Sequence, residues 1–288
     1  MSAVTVEREW QEYDGFKVEF LPSSHRYYLH TPTQEHLLAG VLVEGAGSPE
    51  RDWDRIPAIS VTSALSVLNK PALIKWAGKE DATAVLGLER DGQLMGIPTD
   101  QAIYVARQRG YGAEAKRDAG AARGTAVHKA LQDYVQDGMI PKLDGLSDEV
   151  RGYVQALASW LIDASPEPVM SERIVGSPKY GFAGRFDLIA SLSVVGGKWN
   201  AVPTLVDLKT GANAHKYPEA HIQLAGYELA FGECGIEPIG QSMIVSLDES
   251  GFYKTATGLA RREDFLAVLD AHRAVKSIEK ALRASEKG

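Results

Sequence analysis

Hydrophobic positions along the chain change their period several times, and the changes mark out elements. Between 15 and 43 they alternate: Phe16, Val18 and Phe20 lie two apart, and Tyr27, Tyr28 and Leu29 follow the turn residues Pro22, Ser23 and Ser24. Period two is the mark of strands with one buried face, and Leu37–Val43 reads as a further strand before a polar loop over Gly45–Asp54. From Ser60 the spacing becomes helical. Thr62 or Ser63 is placed to cap a helix carrying Leu65 and Leu68, and Pro71 suits the first turn of a second with Leu73, Ile74, Trp76 and Ala77. The stretch 87–98 is broken, and Thr99 or Asp100 is expected to cap a third helix that ends around Gly110-Tyr111-Gly112.

The next helix is expected from about Ala119 to Gln136, with Gly124, His128, Leu131 and Val135 on one face. Ser147–Ala164 reads as another, followed by a break at 166–168 and a strand over Val169–Val175 that contains Glu172. Two apolar runs then each hold one acid: Phe182–Ala190 holds Asp187, and Thr204–Leu208 holds Asp207. Gly196-Gly197 between them is a hairpin signal. A hairpin symmetric about Gly197 puts Asp187 opposite Asp207, with Cβ atoms about 5 Å apart, whereas a one-residue slip turns one acid to the other face. Lys209 shares the face of Asp207 because strand side chains alternate. Pro218 opens a helix with Gln223 and Tyr227 one turn apart, Ser242–Asp248 and Phe252–Thr257 form a terminal hairpin, and a last amphipathic helix from Arg261 carries Phe265, Leu269, Val275, Ile278 and Leu282. The succession of elements is that of an α/β chain.

Two opposed carboxylates repel one another unless a cation lies between them, and such a pair is a seat for Mg²⁺ or Mn²⁺. Taken singly, each feature has a plainer reading. Asp207 and Lys209 read equally as a sheet-edge ion pair, His128 as a core histidine bonded to a carbonyl, and Gln223 with Tyr227 as a solvent-facing pair. Composition is ordinary for a globular protein, with 44% hydrophobic and 24% charged residues. The single cysteine, Cys234, rules out an intramolecular disulfide and any iron–sulfur or zinc site built from four cysteines. The N-terminal stretch is too polar for a signal peptide and no apolar run reaches membrane-spanning length, so the expectation is a soluble cytoplasmic protein with no membrane partner. The formal net charge of −7 argues against a simple polyanion binder. The balance is local, however: Arg107, Arg109, Lys116, Arg117, Arg123 and Lys129 fall close together, with only Glu114 and Asp118 among them.

Four motifs in order, Gly124-Thr125-Ala126-Val127-His128, Gly184-Arg185-Phe186-Asp187, Asp207-Leu208-Lys209-Thr210-Gly211 and Gln223-Leu224-Ala225-Gly226-Tyr227, resemble those of the PD-(D/E)XK nucleases. The branch they resemble most is the RecB-like exonucleases, including stand-alone phage members. The resemblance covers about 120–230, and Ile59–Leu65 with Lys70–Ala77 also resembles the lead-in of phage members. It implies a restriction-endonuclease-like core at 119–260 in a single nuclease domain, preceded by N-terminal strands to 59 and a helical insert at 60–118, and followed by a terminal helix from 261. It implies metal-dependent DNA hydrolysis, with Asp187 and Asp207 as metal carboxylates, Lys209 as the catalytic lysine, His128 as a further ligand and Leu208 lending its backbone carbonyl. Gln223 and Tyr227 match a motif that contacts substrate or holds the site together, and Glu172 is a candidate supporting acid. Arg117, Arg123 and Arg185 are candidate contacts to DNA. One cysteine cannot supply the iron–sulfur cluster of CRISPR-adaptation relatives, and no phosphate-binding loop of a fused motor is present. The expected substrate is a DNA end or single strand, admitted to a cleft walled by the insert, with Tyr104 or Tyr111 stacking on it. A single-strand annealing or recombination protein is the expected partner, in phage recombination or DNA processing. A silent DNA-binding module and a structure-specific endonuclease are the alternatives, separated from an exonuclease by divalent-dependent cleavage of linear and circular DNA.

Overall fold

Alternating burial in the first strands follows the hydrophobic pattern. A computed structural model describes residues 7–32, 53–68, 70–192 and 202–286; the strand expected at 37–43, most of the loop at 45–54 and the Gly196-Gly197 turn lie outside the described residues. β1 (Glu9–Tyr13), β2 (Phe16–Leu21), β3 (Arg26–Pro32) and β4 (Trp53–Ser60) form an antiparallel meander. Phe16, Val18, Phe20, Tyr27 and Leu29 point into the core. Trp53 and Asp54, expected in a loop, instead begin β4, because they pair with Pro32 and Thr31 of β3.

β5 (Glu167–Ser177), β6 (Phe182–Ser191), β7 (Pro203–Thr210), β8 (Gln241–Leu247) and β9 (Tyr253–Thr257) complete one mixed sheet. β5 runs along one edge of β6. The other edge is shared: Phe182 and Ala183 pair in parallel with β4, and Leu188 to Ser191 pair antiparallel with β7. Between those pairings the strands fork, and residues 184–187 have no ladder partner on that edge among the described residues. The fork opens the cleft described below.

Helices cover both faces. α4 (Ala113–Asp137) and α5 (Asp148–Ala164) pack Val127, Leu131, Leu157 and Leu161 against Leu188, Val206, Leu208 and Val245. α1 (Val61–Ala64), α6 (Pro218–Phe231) and α7 (Arg262–Ser285) cover the opposite face, where Ile189, Leu205 and Ile244 lie. α2 (Pro71–Arg90) and α3 (Ala102–Gln108) form a satellite with its own small core of Leu88, Leu94, Ala102 and Ala106. The class is α/β, a large mixed sheet flanked by helices. No helix among the described residues is long and apolar enough to cross a membrane.

Several boundaries differ from the sequence pattern for identifiable reasons. Ser60, not Thr62 or Ser63, caps α1: its Oγ accepts from the Ser63 N–H at 2.9 Å. α2 continues through Gly87 to Arg90, so the break is shorter than 87–98. α4 starts at Ala113 rather than about Ala119, because Asp81 on α2 accepts the Ala113 N–H at 2.9 Å and serves as a cap from a distant part of the chain. Gly112, at φ 88°, lets the chain turn tightly beneath that carboxylate. On α7 only the first turns reach the core: Phe265 and Leu269 are buried, whereas Val275, Ile278 and Leu282 are exposed because the helix outruns the sheet.

Two glycines of the α4 and α6 motifs separate packing from accommodation. A Cβ on Gly226 would lie 2.7 Å from the Phe265 ring, where α6 and α7 touch, whereas one on Gly124 would meet nothing within 4 Å. Gly226→Ala is expected to cost about 1–3 kcal/mol by overpacking, and Gly124→Ala to hold or raise stability through helix propensity. Thermal melts of the two variants beside the wild type check this. Equal losses would mean that the α6–α7 contact is not as close as described.

Candidate active site

Hairpin register decides which acids meet. Leu188 pairs with Val206, so one step on Asp187 falls opposite Asp207, as symmetry about Gly197 requires. On the other side Ser171 pairs with Leu188 and Arg173 with Phe186, so Glu172 falls opposite Asp187. Three acids therefore lie in one row across β5, β6 and β7. The row starts where the β6–β7 ladder stops, and Asp187 takes over the pairing there: its Oδ2 accepts the Leu208 backbone N–H at 2.7 Å.

α4 brings the fourth group. His128 Nδ1 lies 3.0 Å from Glu172 Oε1 and 3.7 Å from Asp187 Oδ1. One ligand atom each from His128, Glu172 and Asp187 falls within 4.8 Å of the others. Glu172 adopts φ 47°, unusual for a residue with a side chain, between Ser171 and Arg173, which keep one register with β6; the register shift of β5 lies further back, between Pro168 and Met170. That conformation costs on the order of 1 kcal/mol.

Asp207 stands beside this group rather than in it. Lys209 Nζ is 2.8 Å from its Oδ1 and 2.7 Å from its Oδ2, and Gln223 Nε2 donates to Oδ1 at 3.1 Å. The bond from Lys209 is directed at Oδ1, and buried Oδ2 receives no well-aligned donor among the described residues. Gln223 Nε2 also reaches the Tyr227 hydroxyl at 2.9 Å, and both residues are buried. The solvent-facing reading of this pair is therefore wrong; the two residues brace Asp207 from α6. Gly184 permits the approach, since a Cβ there would be 2.9 Å from both the Tyr227 ring and Val61.

A cleft of about 660 Å³ contains His128, Glu172, Asp187, Lys209, Gln223 and Tyr227. Its opposite wall is the β2–β3 hairpin, with Phe20, His25 and Tyr27, and Ser60, Val61 and Thr62 close one end. The insert contributes only this small part of the wall. Arg185 lines the cleft, but Arg117, Arg123, Tyr104 and Tyr111 are not among its lining residues. Arg123 lies with its guanidinium carbon 5.2 Å from the centre of the Tyr153 ring, and Arg117 pairs with Glu114 and Asp118. The clustered basic residues are largely neutralised: Arg107 pairs with Asp81, Lys116 with Glu80 and Lys129 with Asp133. The pairings with Asp81 and Glu80, 26 and 36 residues away in sequence, leave no trace in local charge counts. The central place of Glu172 was readable from sequence, because the turn over residues 178–181 fixes the β5 register. The hairpin wall was not readable, since only tertiary structure brings β2 and β3 to this site.

Burial and crowding shift the ionisations together. For His128, burial disfavours the charged ring, but Asp187 and the bond to Glu172 more than offset it and raise the pKa to about 9. Asp207 is pushed up to about 6, mainly by burial and further by Asp187, against the pull of Lys209. Asp187 is also raised, by burial first and by Glu172, with His128 and Lys209 opposing. Burial works against the Lys209 ammonium, yet Asp207 and Asp187 raise its pKa and keep it protonated. The donor set, two carboxylates and one imidazole around a site with excess negative charge, fits Mg²⁺ or Mn²⁺.

No protein-family model matches the chain, and no curated protein matches it as a relative.

The shifts predict a pH dependence of stability. A proton bound more tightly in the folded state stabilises the fold while it stays bound. The His128 contribution is complete below its ordinary 6.5 and is lost as pH rises through about 9. The raised acids act in the same direction, losing stability as pH climbs from the ordinary carboxylate range through about 6. Metal-free protein should therefore melt lower at pH 9 than at pH 6.5, and His128→Gln should flatten that difference. A melting temperature that is level across this range in the wild type would contradict the stated protonation of the cluster.

Proposed function

We propose that the chain is a metal-dependent deoxyribonuclease of the PD-(D/E)XK type, in the manner of RecB-like exonucleases, and that it degrades DNA from ends. The observation that carries this reading is the row of Glu172, Asp187 and Asp207 on adjacent strands, with Lys209 bonded to Asp207 and His128 facing the other two acids. A resting structure gains nothing from such crowding, because like charges that close repel. A divalent cation bound there supplies Lewis acidity, polarising a phosphoryl oxygen and making water a better nucleophile near neutral pH.

The residues that would hold the ion are His128, Glu172 and Asp187, with Asp207 adjacent and the Leu208 backbone in reach of Asp187. Lys209 has the protonation and the fixed position to stabilise negative charge that develops on a phosphate. Gln223 and Tyr227 keep Asp207, and through it Lys209, in place, acting as positioning residues. The cleft has the volume of a small-molecule pocket, which suits a short stretch of one strand better than a duplex and supports access from frayed ends. Contacts made chiefly to phosphates carry no direct sequence information, in keeping with degradation that does not depend on sequence.

Two outcomes are expected. Lys209→Ala and Asp207→Ala should each lower Mg²⁺-dependent cleavage by at least about a hundredfold while the protein still melts cooperatively; either variant with near wild-type activity removes the assignment. A time course on matched linear and covalently closed circular DNA should show the linear form lost and the circles largely spared. Equal rates, or discrete fragments, would favour an endonuclease.

A further inference from the structure

Arg185 is the cation of the cleft that the chemistry above leaves unused. It projects from β6 into the same space as His128, Asp187 and Lys209. Its guanidinium carbon lies 4.8 Å from the centre of the Phe20 ring. That ring is stacked on Tyr27 at 4.6 Å and meets His25 edge-on at 5.2 Å, so the support under Arg185 is fixed by β2 and β3. Nη2 donates to Glu9 Oε2, and buried Nε has no acceptor among the described residues. Among the described residues Arg185 thus has a rigid seat, one carboxylate partner and an unused donor.

Glu9 is the more loosely held of the two. It lies on β1, the edge strand of the meander, and its side chain is 42% exposed against 23% for Arg185. A guanidinium offers donors in a planar fork that suits the oxygens of a carboxylate or a phosphate, and phosphate fills two donors at once. Lys209 is committed to Asp207, and His128 to Glu172. An approaching strand therefore meets an acid-lined cleft in which Arg185 is the cation held by the most exposed partner.

We infer that Arg185 is a subsite for a backbone phosphate next to the one over the acid row, and that Glu9 masks it in the free protein by occupying the place of that phosphate. On binding, the phosphate takes Nη2 and Nε of Arg185, and the Glu9 carboxylate moves to solvent. Glu9 then sets a threshold: single contacts from small anions compete poorly with it, whereas a strand anchored elsewhere in the cleft displaces it. The inference rests on the cleft being a nuclease site.

The test is a double-mutant cycle on the full chain, read as binding of a fluorescein-labelled single-stranded oligonucleotide with Ca²⁺ in place of Mg²⁺. Arg185→Gln should weaken binding roughly tenfold and reduce the slope of log affinity against log salt by about 0.7, the share of one phosphate on a single strand. Glu9→Gln should tighten binding roughly threefold in the wild-type background and do nothing in the Arg185→Gln background. A gain in affinity cannot arise from misfolding, and thermal melts of Arg185→Gln exclude that cause for the loss. If Glu9→Gln tightens binding equally in both backgrounds, or neither change matters in a protein that binds and cuts DNA, the subsite is overturned and the nuclease reading stands. If the wild-type protein neither binds nor cuts DNA, both fall together.

Discussion

Repulsion among Glu172, Asp187 and Asp207 is the constraint around which the rest of the structure is arranged. Strand pairing brings the three to adjacent positions, where the Cβ atoms of opposed residues are about 5 Å apart. Everything nearby answers that charge. Lys209 is drawn onto Asp207 from two residues along the same strand, His128 is turned toward the other two acids from α4, and the Leu208 N–H is taken by Asp187. Even the Glu172 backbone leaves its extended conformation at this point. The forked edge of β6 follows the same logic, since a continuous ladder between β6 and β7 would leave no space in front of the acids.

The face of α6 is explained by the same constraint. Asp207 lies between Val206 and Leu208, which point to α4 and α5, so its carboxylate points to α6. A bare helix face would leave Lys209 as its one donor among the described residues. Gln223 supplies another and is itself held by Tyr227, and the bracing works because Gly184 and Gly226 let Tyr227 and Phe265 approach closely. The small residues of these motifs are thus part of how the polar ones are held in place. Gly124 is different, since no neighbour crowds it.

What the sequence made legible was local or arithmetical. β2, β3, the strands from β5 onward, the core helices and the opposition of Asp187 to Asp207 followed from period, turn residues and a count about Gly197, whereas β1 and β4 did not. What it hid was long-range. Asp81 starts α4 from another helix, and acids distant in sequence neutralise the basic run of α3 and α4. Val275, Ile278 and Leu282 continue an apolar stripe past the end of the core that would have covered it. A count over two strands pairs Asp187 with Asp207. The third strand adds Glu172, and the ligand atoms that cluster within 4.8 Å are those of His128, Glu172 and Asp187.

The central claim is that this acid row is made to hold a divalent cation. Calorimetric titration of metal-free protein with Mn²⁺ at pH 8 tests it most directly, because binding must displace the His128 proton and the heat depends on the buffer that receives it. The account predicts saturable binding with proton release, a higher melting temperature in the loaded protein, and loss of both in Glu172→Ala and Asp187→Ala. No binding at millimolar Mn²⁺, or binding undiminished when both acids are removed, would contradict it.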